Sequence, residues 1–359
     1  MKNKNKPRNI LVRPYTYITQ SVGTDSLKMC VLLLIQVILL LVSASYKAVF
    51  VILTSLASSV IADILDKKFQ NKAEASDAFS IQISAVQGLI IGFLLPESYP
   101  LVTVFFVTLF TMGVYKYMFG GYSRAWLNPS IVTVLILWTI GSRFFPDFLV
   151  SYDILSMRNP SQLLIESGAF PNMKFDTQIT DVLNNSVFSL FKVSVPEGYV
   201  SMFWDTGSVI PAFRFNFLTI ISSIVLFGDD YVKGIIAACF LGVYFLLIRY
   251  ISPLFFGTFQ IKGDIVLALL TSGTLFFATF IIGWYGTAPA TVPGKIITGV
   301  LAGIAAFFIA GPGTSPVGLV FTVMISNIFS LVIKQFEEHN DRIRIEKLIQ
   351  RKEALVNAD

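Results

Sequence analysis

Apolar runs of about 17 to 25 residues, the length that lets an α-helix cross a bilayer, recur along this 359-residue chain. Hydrophobic residues make up 54% of the sequence and charged residues 14%, whereas a typical soluble domain has about a quarter charged residues. The runs are continuous rather than alternating, which argues against a transmembrane β-barrel. The sequence therefore predicts an all-α polytopic membrane protein.

The apolar runs predict about ten transmembrane helices. Their predicted spans are 29–46, 48–65, 79–95, 99–118, 129–146, 213–228, 232–250, 264–283, 295–311 and 316–334. These spans divide the chain into five regions. They are a basic N-terminus (1–28), a first membrane repeat (29–146), an extracytoplasmic loop (147–212), a second membrane repeat (213–334) and a C-terminal tail (335–359).

Short loops rich in Lys and Arg predict which side of the membrane each loop occupies. The N-terminus contains five basic residues before position 14, and the loop after the second span contains Lys67, Lys68 and Lys72. The 147–212 segment has more acidic than basic residues. This pattern predicts cytoplasmic N- and C-termini and places 147–212 on the opposite side.

Gly, Pro and Asn interrupt the two halves of the chain in a similar order. In the first half, Leu95-Pro96 and Leu127-Asn128-Pro129-Ser130 flank the spans, and in the second half Pro293-Gly294 and Gly311-Pro312-Gly313 do so. Five spans per half would make the halves two inverted repeats, with a binding site between them near the midplane. The alternative is that Gly and Pro only end individual membrane helices.

Few ionisable or metal-binding residues lie within the predicted spans. Cys30 and Cys239 lack a CxxC partner and His339 is the only histidine, so no metal site and no bis-histidine haem are expected. Four charged residues near span ends are predicted to reach lipid headgroups: Asp63, Lys116, Lys233 and Asp264. An ion path would then use uncharged polar groups, and the candidates include Gln87, Asn128, Ser130, Thr271, Ser272, Thr274 and Asn327. The net charge of +5 requires no nucleic-acid partner.

Glycine-rich turns at Gly120-Gly121 and at Gly311-Pro312-Gly313 would let backbone amides approach a ligand closely. A phosphate group or the edge of an isoalloxazine ring would suit such a turn.

Several of these motifs together resemble a known family. They are Ser84-Ala85 with Gly88, Leu95-Pro96, Lys116 with Phe119-Gly120-Gly121, Asn128-Pro129, Thr287-Ala288-Pro289, Pro293-Gly294-Lys295, and Pro316 to Phe321 followed by Asn327. The chain resembles the D-type membrane subunit of the Rnf-type ion-translocating ferredoxin:NAD⁺ oxidoreductase, and also the related B-type subunit of the Na⁺-translocating NADH:quinone reductase. The resemblance extends over residues 10–335.

The resemblance implies a flavin-binding subunit in the bacterial cytoplasmic membrane. It implies electron transfer coupled to Na⁺ or H⁺ translocation, and assembly with other membrane and peripheral subunits. The implied cofactors are FMN, which the family joins through its phosphate to a threonine, and a second flavin without a covalent bond. The implied cofactor-binding residues are Thr206, Ser208, Gly120, Gly121, Asn128 and Thr287.

Three segments depart from the family pattern. Ile210 in Asp205-Thr206-Gly207-Ser208-Val209-Ile210-Pro211 stands where the family has the FMN-bearing threonine. Tyr231-Val232-Lys233 replaces a Gly-Glu-Thr stretch, and Ala278-Thr279-Phe280-Ile281 replaces an Ala-Thr-Asp-Pro stretch. Isoleucine cannot form a phosphoester, so Thr206 or Ser208 would have to carry any covalent FMN. Two alternatives therefore stay open: a cofactor-free solute channel or transporter on the same fold, and a scaffold subunit of the complex.

Overall fold

The computed structural model describes residues 21–70, 78–119, 126–155, 157, 159–255 and 263–356. Within these ranges the regular backbone is helical and contains no β-strand. The α-helices, in chain order, are α1 (Val22–Val42), α2 (Tyr46–Gln70), α3 (Ala78–Leu94), α4 (Leu101–Phe119), α5 (Pro129–Gly141), α6 (Tyr152–Leu155), α7 (Pro160–Glu166), α8 (Asp176–Ser186), α9 (Tyr199–Trp204), α10 (Asn216–Asp229), α11 (Tyr231–Tyr250), α12 (Ser252–Phe255), α13 (Ile265–Thr271), α14 (Thr274–Phe276), α15 (Val292–Ala310) and α16 (Gly318–Val356).

Five helices of the described chain are long and apolar enough to cross a membrane: α1, α2, α11, α15 and the first part of α16. Helices α3, α5 and α10 are also apolar but shorter, and α4 is apolar over Leu101–Val114. The prediction of an all-α, multi-pass membrane protein is therefore confirmed. The prediction of one continuous helix over 264–283 is wrong. That stretch is divided into α13, α14 and a π-helical turn at Phe277–Ile281.

The 147–212 segment lies against one end of the helical bundle, which we call the connector end. Four loops between membrane helices meet it there. Glu97 N donates to Val209 O at 3.1 Å, and Leu149 N donates to Thr314 O at 2.8 Å. Ser161 N donates to the Asp264 carboxylate at 2.9 Å. The fourth loop contributes Ser45, whose hydroxyl accepts a hydrogen bond from Arg214, two residues beyond the segment.

The opposite end of the bundle, where α16 continues beyond the apolar core, is the tail end. Two ion pairs join the start of α1 to the turn between α10 and α11, namely Lys28 with Asp229 and Lys233 with Asp25. Glu337 of α16 accepts hydrogen bonds from the amides of Ala290 and Thr291 at the start of α15. The acidic partner of Lys233 is a protein carboxylate, although the sequence predicted contact with headgroups.

Asp63 is fully buried, contrary to the prediction that it reaches lipid headgroups. Its carboxylate accepts hydrogen bonds from Ser80 and from Ser84, the latter at 3.2 Å, and pairs with Lys67 at 3.3 Å. The reason is that α3 packs directly on α2 at this level, so that serine hydroxyls replace water around the carboxylate. Asp264 instead caps α13, where it accepts from Leu267 N. The Lys116 side chain lies outside the described residues.

Small residues bring pairs of helices into close contact in both halves. A Cβ atom on Gly92 of α3 would lie 2.5 Å from the Ile52 Cα of α2. A Cβ atom on Gly303 of α15 would lie 2.8 Å from the Phe240 carbonyl oxygen of α11. Glycine at these positions therefore permits the close backbone approach that holds membrane helices together where no hydrophobic driving force exists.

The eighth apolar segment breaks at Gly273, which adopts a left-handed backbone with φ of +70°. The break frees carbonyl groups of α13, and nearby hydroxyls compensate for it. Ser272 Oγ donates to the Ala268 carbonyl at 2.5 Å and Thr274 Oγ1 lies 2.6 Å from the Ser272 hydroxyl. Because no water is present in a bilayer core, a broken helix persists only where protein groups satisfy its backbone.

Candidate functional site

An ion pair organises the end of the connecting 147–212 segment. Arg214 binds Asp205 through two parallel hydrogen bonds, from Nε at 2.8 Å and from Nη2 at 2.5 Å. Its third donor, Nη1, binds the Ser45 hydroxyl at 2.5 Å. Both charged residues are buried. Since Asp205 Oδ1 also accepts from Gly207 N at 2.8 Å, the pair fixes the start of the loop that follows.

Thr206, Ser208 and Ile210 occupy that loop in three different environments. The Thr206 hydroxyl is buried and donates to the Phe213 carbonyl at 2.8 Å. The Ser208 side chain is half-buried, and its oxygen accepts from Ile210 N at 3.3 Å. Ile210 is completely buried within the main hydrophobic core. The loop thus turns one hydroxyl inward, leaves one partly accessible, and uses Ile210 for packing.

A cleft of about 230 Å³ lies between this loop and the rest of the connecting segment. Its floor is formed by residues 206–209. Its walls are mainly apolar, contributed by the region after α5 and by the α7 region: Pro146, Phe148, Leu149, Leu164, Ala169 and Phe170. The cleft combines aromatic and aliphatic walls with hydroxyl and backbone groups on one side.

A second group of polar side chains, the amide cluster of Gln87, Asn128 and Asn327, lies inside the helical bundle. All three are at least 96% buried, with exposed fractions of 1%, 0% and 4%. The side-chain nitrogen of each has no hydrogen-bond partner in the described structure. Buried polar groups in proteins are almost always paired, so three unpaired amide donors need an explanation.

The orientation of the Asn128 amide follows from its position at the start of α5. Its Oδ1 accepts a hydrogen bond from Ser130 N at 3.0 Å and so caps the helix. Only the oxygen can accept this bond, which leaves Nδ2 as the free donor. Ser130 Oγ donates to the Gln87 carbonyl at 3.3 Å and thereby joins α5 to α3.

Asn327 belongs to the same region because α16 packs on α5. Trp138 of α5 meets Phe321 of α16 edge to face, with ring centroids 5.5 Å apart. From this contact, Asn128 and Asn327 both lie toward the tail end on neighbouring helices. The three amides thus belong to α3, α5 and α16, and α5 contacts both of the other helices.

Thr287 lies in the tail-end loop before α15 and is buried. Its hydroxyl donates to the Trp284 carbonyl at 3.1 Å, and its own carbonyl accepts from Ser330. The indole nitrogen of Trp284 is buried without a partner in the described structure. Thr287 thus stabilises this loop through a hydrogen bond within it and joins the loop to α16 through the bond from Ser330.

The structure separates the candidate residues into two locations. Thr206 and Ser208 line the cleft beside Pro146 at the connector end, whereas Asn128 lies at the other end of α5, about 20 Å away for a helix of 13 residues. Thr287 lies at the tail end. Gly120 and Gly121 fall outside the described residues.

Sequence reasoning missed the Asp205–Arg214 pair and most of the cleft wall. Asp205 and Arg214 carry opposite charges close to the predicted span 213–228, and this proximity could have predicted the pair. The wall residues are separated in sequence from the loop and give no local signal.

Asp176 at the start of α8 holds the connecting segment together at some distance from the cleft. Its carboxylate accepts hydrogen bonds from Gly198 N at 2.7 Å, Ser201 N at 2.5 Å and Thr180 Oγ1 at 3.2 Å. Burial acts to raise the pKa of this carboxyl, but the hydrogen bonds from Ser201, Gly198 and Thr180 outweigh it and the pKa is lowered.

We expect Asp176→Asn to loosen residues 176–201 in a pH-dependent way. A carboxyl with a lowered folded-state pKa contributes stability above its unfolded pKa of about 3.9, and loses it as the pH falls through the folded pKa. The difference between wild type and variant should therefore be largest above about pH 4 and shrink below it. Amide hydrogen exchange from pH 3 to 7, corrected for intrinsic rates, measures it. Asp181→Asn, on the exposed face of the same helix, should cause no such change; an equal effect would contradict the assignment.

The chain is similar to subunits of ion-translocating oxidoreductase complexes. It is 24% identical over 316 residues to the D-type subunit of the ion-translocating oxidoreductase complex of Buchnera aphidicola subsp. Baizongia pistaciae. The aligned region covers 82% of this chain and 86% of that protein. It is 22% identical over 286 residues to the D-type subunit of the Na⁺-translocating ferredoxin:NAD⁺ oxidoreductase complex of Acetobacterium woodii. That aligned region covers 78% of this chain and 77% of that protein. The NQR2, RnfD, RnfE family matches residues 10–341, and the chain belongs to this family.

Proposed function

We propose that this chain is a flavin-binding membrane subunit of a redox-driven, ion-translocating electron-transport complex. The relatives named above are subunits of ion-translocating oxidoreductases. The observation that carries the proposal is the cleft beside residues 206–209, since it lies where the family resemblance expects FMN.

The residues of the cleft suit FMN held without a covalent bond. Ile210 carries no hydroxyl and is fully buried, and the Thr206 hydroxyl is engaged by the Phe213 carbonyl. Ser208 is the remaining hydroxyl of the loop that lines the cleft. Phe148 and Phe170 would contact a flavin ring, because aromatic walls pack well against flat conjugated rings.

A flavin supplies the electron-transfer chemistry, and the protein supplies its position and surroundings. In this chain the Asp205–Arg214 pair would hold the loop in place, with Ser208 directed to the polar part of the ligand. The apolar walls would limit the access of water to the ring.

The amide cluster supports a second, non-covalent flavin inside the bundle. The free donors of Gln87, Asn128 and Asn327 need acceptors, and the carbonyl oxygens of an isoalloxazine ring are acceptors of this kind. The N-terminus of α5 adds its positive dipole end at Asn128.

The helix contacts support about ten crossings arranged as two inverted five-helix repeats. In the first half, α2 packs on α4, α4 on α5, and α1 on α3. The equivalent pairs in the second half are α11 with α15, α15 with α16, and α10 with the α14 region. The alternation of loops between connector end and tail end agrees with the charge asymmetry, so we assign the termini to the cytoplasmic side of the bacterial inner membrane.

The complex purified with its other subunits should contain non-covalent FMN. We expect extraction with acid to release FMN, a dark protein band under ultraviolet light after denaturation, and an unmodified intact mass. Ala169→Trp, which would fill the cleft, should reduce FMN content at least 10-fold. Ala290→Trp, on an exposed residue at the tail end, should not. A fluorescent band and a mass increase, both abolished by Ser208→Ala, would contradict non-covalent binding. Absence of flavin from the assembled complex would favour the scaffold alternative.

Asn128→Ser tests the second flavin site. Serine also caps helices, so α5 should keep its start while the amide donor is lost. We expect one equivalent of flavin to be lost from the complex with little change in thermal stability. Asn128→Ala removes cap and donor together and should also destabilise the protein by about 1 kcal/mol. Full flavin content in Asn128→Ser would exclude the amide cluster as the site.

A further inference from the structure

A group of large apolar side chains is exposed in the connecting segment, away from the membrane helices. It comprises α8 and the turn after it, and we call it the α8 patch: Ile179, Val182, Val187, Leu190, Phe191 and Val193. The exposed fractions of Leu190, Phe191 and Val182 are 80%, 71% and 65%. Several large apolar side chains exposed within one short stretch of chain are typical of an interaction site.

The exposure of the patch matches that of the outer faces of the membrane helices. Phe110 of α4 and Phe308 of α15 are 72% and 69% exposed. Those side chains lie on helices that pack into the bundle through their other faces, and lipid is their natural environment. The α8 patch has the same residue types at the same exposure.

Two large apolar side chains of α8, Ile179 and Val182, are exposed beside polar neighbours such as Gln178 and Asp181. Asp176 and Thr180, on the face that packs against the protein, are buried and bonded to one another and to the 198–201 backbone. Ile179 and Val182 point outward. Ile179 and Val182 therefore extend the apolar surface of the turn after α8, and Asp181 marks the edge of the patch that faces water.

A row of aromatic rings connects α8 to the membrane helices. Phe175, just before α8, contacts Trp204 edge to face at 5.9 Å, and Trp204 stacks on Phe217 at 5.7 Å. Phe217 lies in the first turn of α10. Tryptophan is enriched where a membrane meets water, so the start of α8 lies near the connector-end surface of the bilayer.

The charge of the part of the chain after Asp181 also fits a lipid surface. Residues 182–195 contain no acidic side chain, and their single charged residue is Lys192, which is exposed. Lys174 precedes α8. Basic residues beside exposed Leu, Val and Phe are typical of interfacial helices that bind anionic bilayers.

We propose that α8 and the turn to Val193 form an interfacial anchor, with the α8 patch inserted into the leaflet at the connector end. The anchor holds the connecting segment against the membrane beside the helical bundle. This role is independent of flavin binding.

Spin labels in the full-length protein test the anchor. In a background with Cys30 and Cys239 replaced by alanine, single cysteines are introduced as Val182→Cys, Leu190→Cys and Phe191→Cys. Phe308→Cys reports a lipid-facing site, and Asp181→Cys is the matched water-facing neighbour on α8. The labelled proteins are reconstituted in phosphatidylethanolamine–phosphatidylglycerol vesicles, and the collision rates with oxygen and with a water-soluble nickel chelate are compared.

We expect labels at positions 182, 190 and 191 to favour oxygen over the nickel chelate several-fold, as at 308, and the label at 181 to favour the chelate. Preference for the chelate at 190 and 191 would overturn the proposal and make the patch a surface for another protein. Exclusion of both reagents would overturn it as well, since it would indicate burial against protein. Labels at 187 and 193 provide the same test if one of the other variants fails to fold.

Discussion

Replacing Asp205 with asparagine is expected to destabilise the protein by about 3–5 kcal/mol, because it leaves the buried Arg214 guanidinium without a counter-charge. The pair makes two hydrogen bonds of 2.8 and 2.5 Å, and both side chains are largely removed from solvent. The loss should first affect the 205–211 loop, since Asp205 also holds the Gly207 amide. Thermal unfolding in detergent and the flavin content of the complex measure the two effects.

A double variant separates the charge effect from general disruption. Arg214→Met combined with Asp205→Asn removes both charges and keeps much of the side-chain volume. Because the double variant leaves no uncompensated buried charge, it should be clearly more stable than Asp205→Asn alone. Equal stability of the two would mean that the Coulombic interaction is not what Asp205 contributes.

Replacing Gly273 with valine should be comparably severe, at about 3–5 kcal/mol, because strain and a steric clash act together. With φ of +70°, residue 273 has a backbone that a β-branched side chain tolerates poorly. Its Cβ would also lie 2.1 Å from Phe213 Cδ1. Phe213 is fully buried and accepts the Thr206 hydroxyl on its carbonyl, so the clash would spread to the candidate flavin cleft.

Gly242→Val in α11 is the matched control, since it adds the same side chain where no atom lies within 4 Å of the new Cβ. It should fold and unfold like the wild type, and it should keep its FMN. Both variants are compared by thermal unfolding and by resistance to a protease added after reconstitution. A Gly273→Val protein as stable as Gly242→Val would show that the break in the eighth apolar segment adjusts to an ordinary residue.

Much of the helical arrangement was predictable because membrane crossing imposes a length and an apolar composition on each segment. The predicted span 232–250 and α11 at Tyr231–Tyr250 differ by one residue at one end. The span 264–283 was predicted as one helix because its hydropathy is continuous. Its break lies at Gly273, which packs against Phe213 of a distant loop, and the local sequence does not reveal that contact.

The candidate site was only partly predictable. Thr206, Ser208 and Asn128 could be selected from their neighbouring residues. Which hydroxyl is engaged, and which amide donor lacks a partner, depends on groups brought together from far along the chain. Asp63 shows the same dependence, since Ser80 and Ser84 of α3 enclose a carboxylate that its place near a span end suggested would be accessible.

The sequence by itself determined that this is an all-helical membrane protein of the NQR2, RnfD, RnfE family, and that position 210 cannot carry a phosphoester-linked flavin. These conclusions need only hydropathy, residue chemistry and local motifs. The tertiary structure alone decided that Asp205 and Arg214 form a buried pair, that Gln87, Asn128 and Asn327 have free amide donors, and that the apolar side chains of the α8 patch are exposed. The physical reason is that pairing and burial are relations between distant segments, which only the folded chain brings into contact.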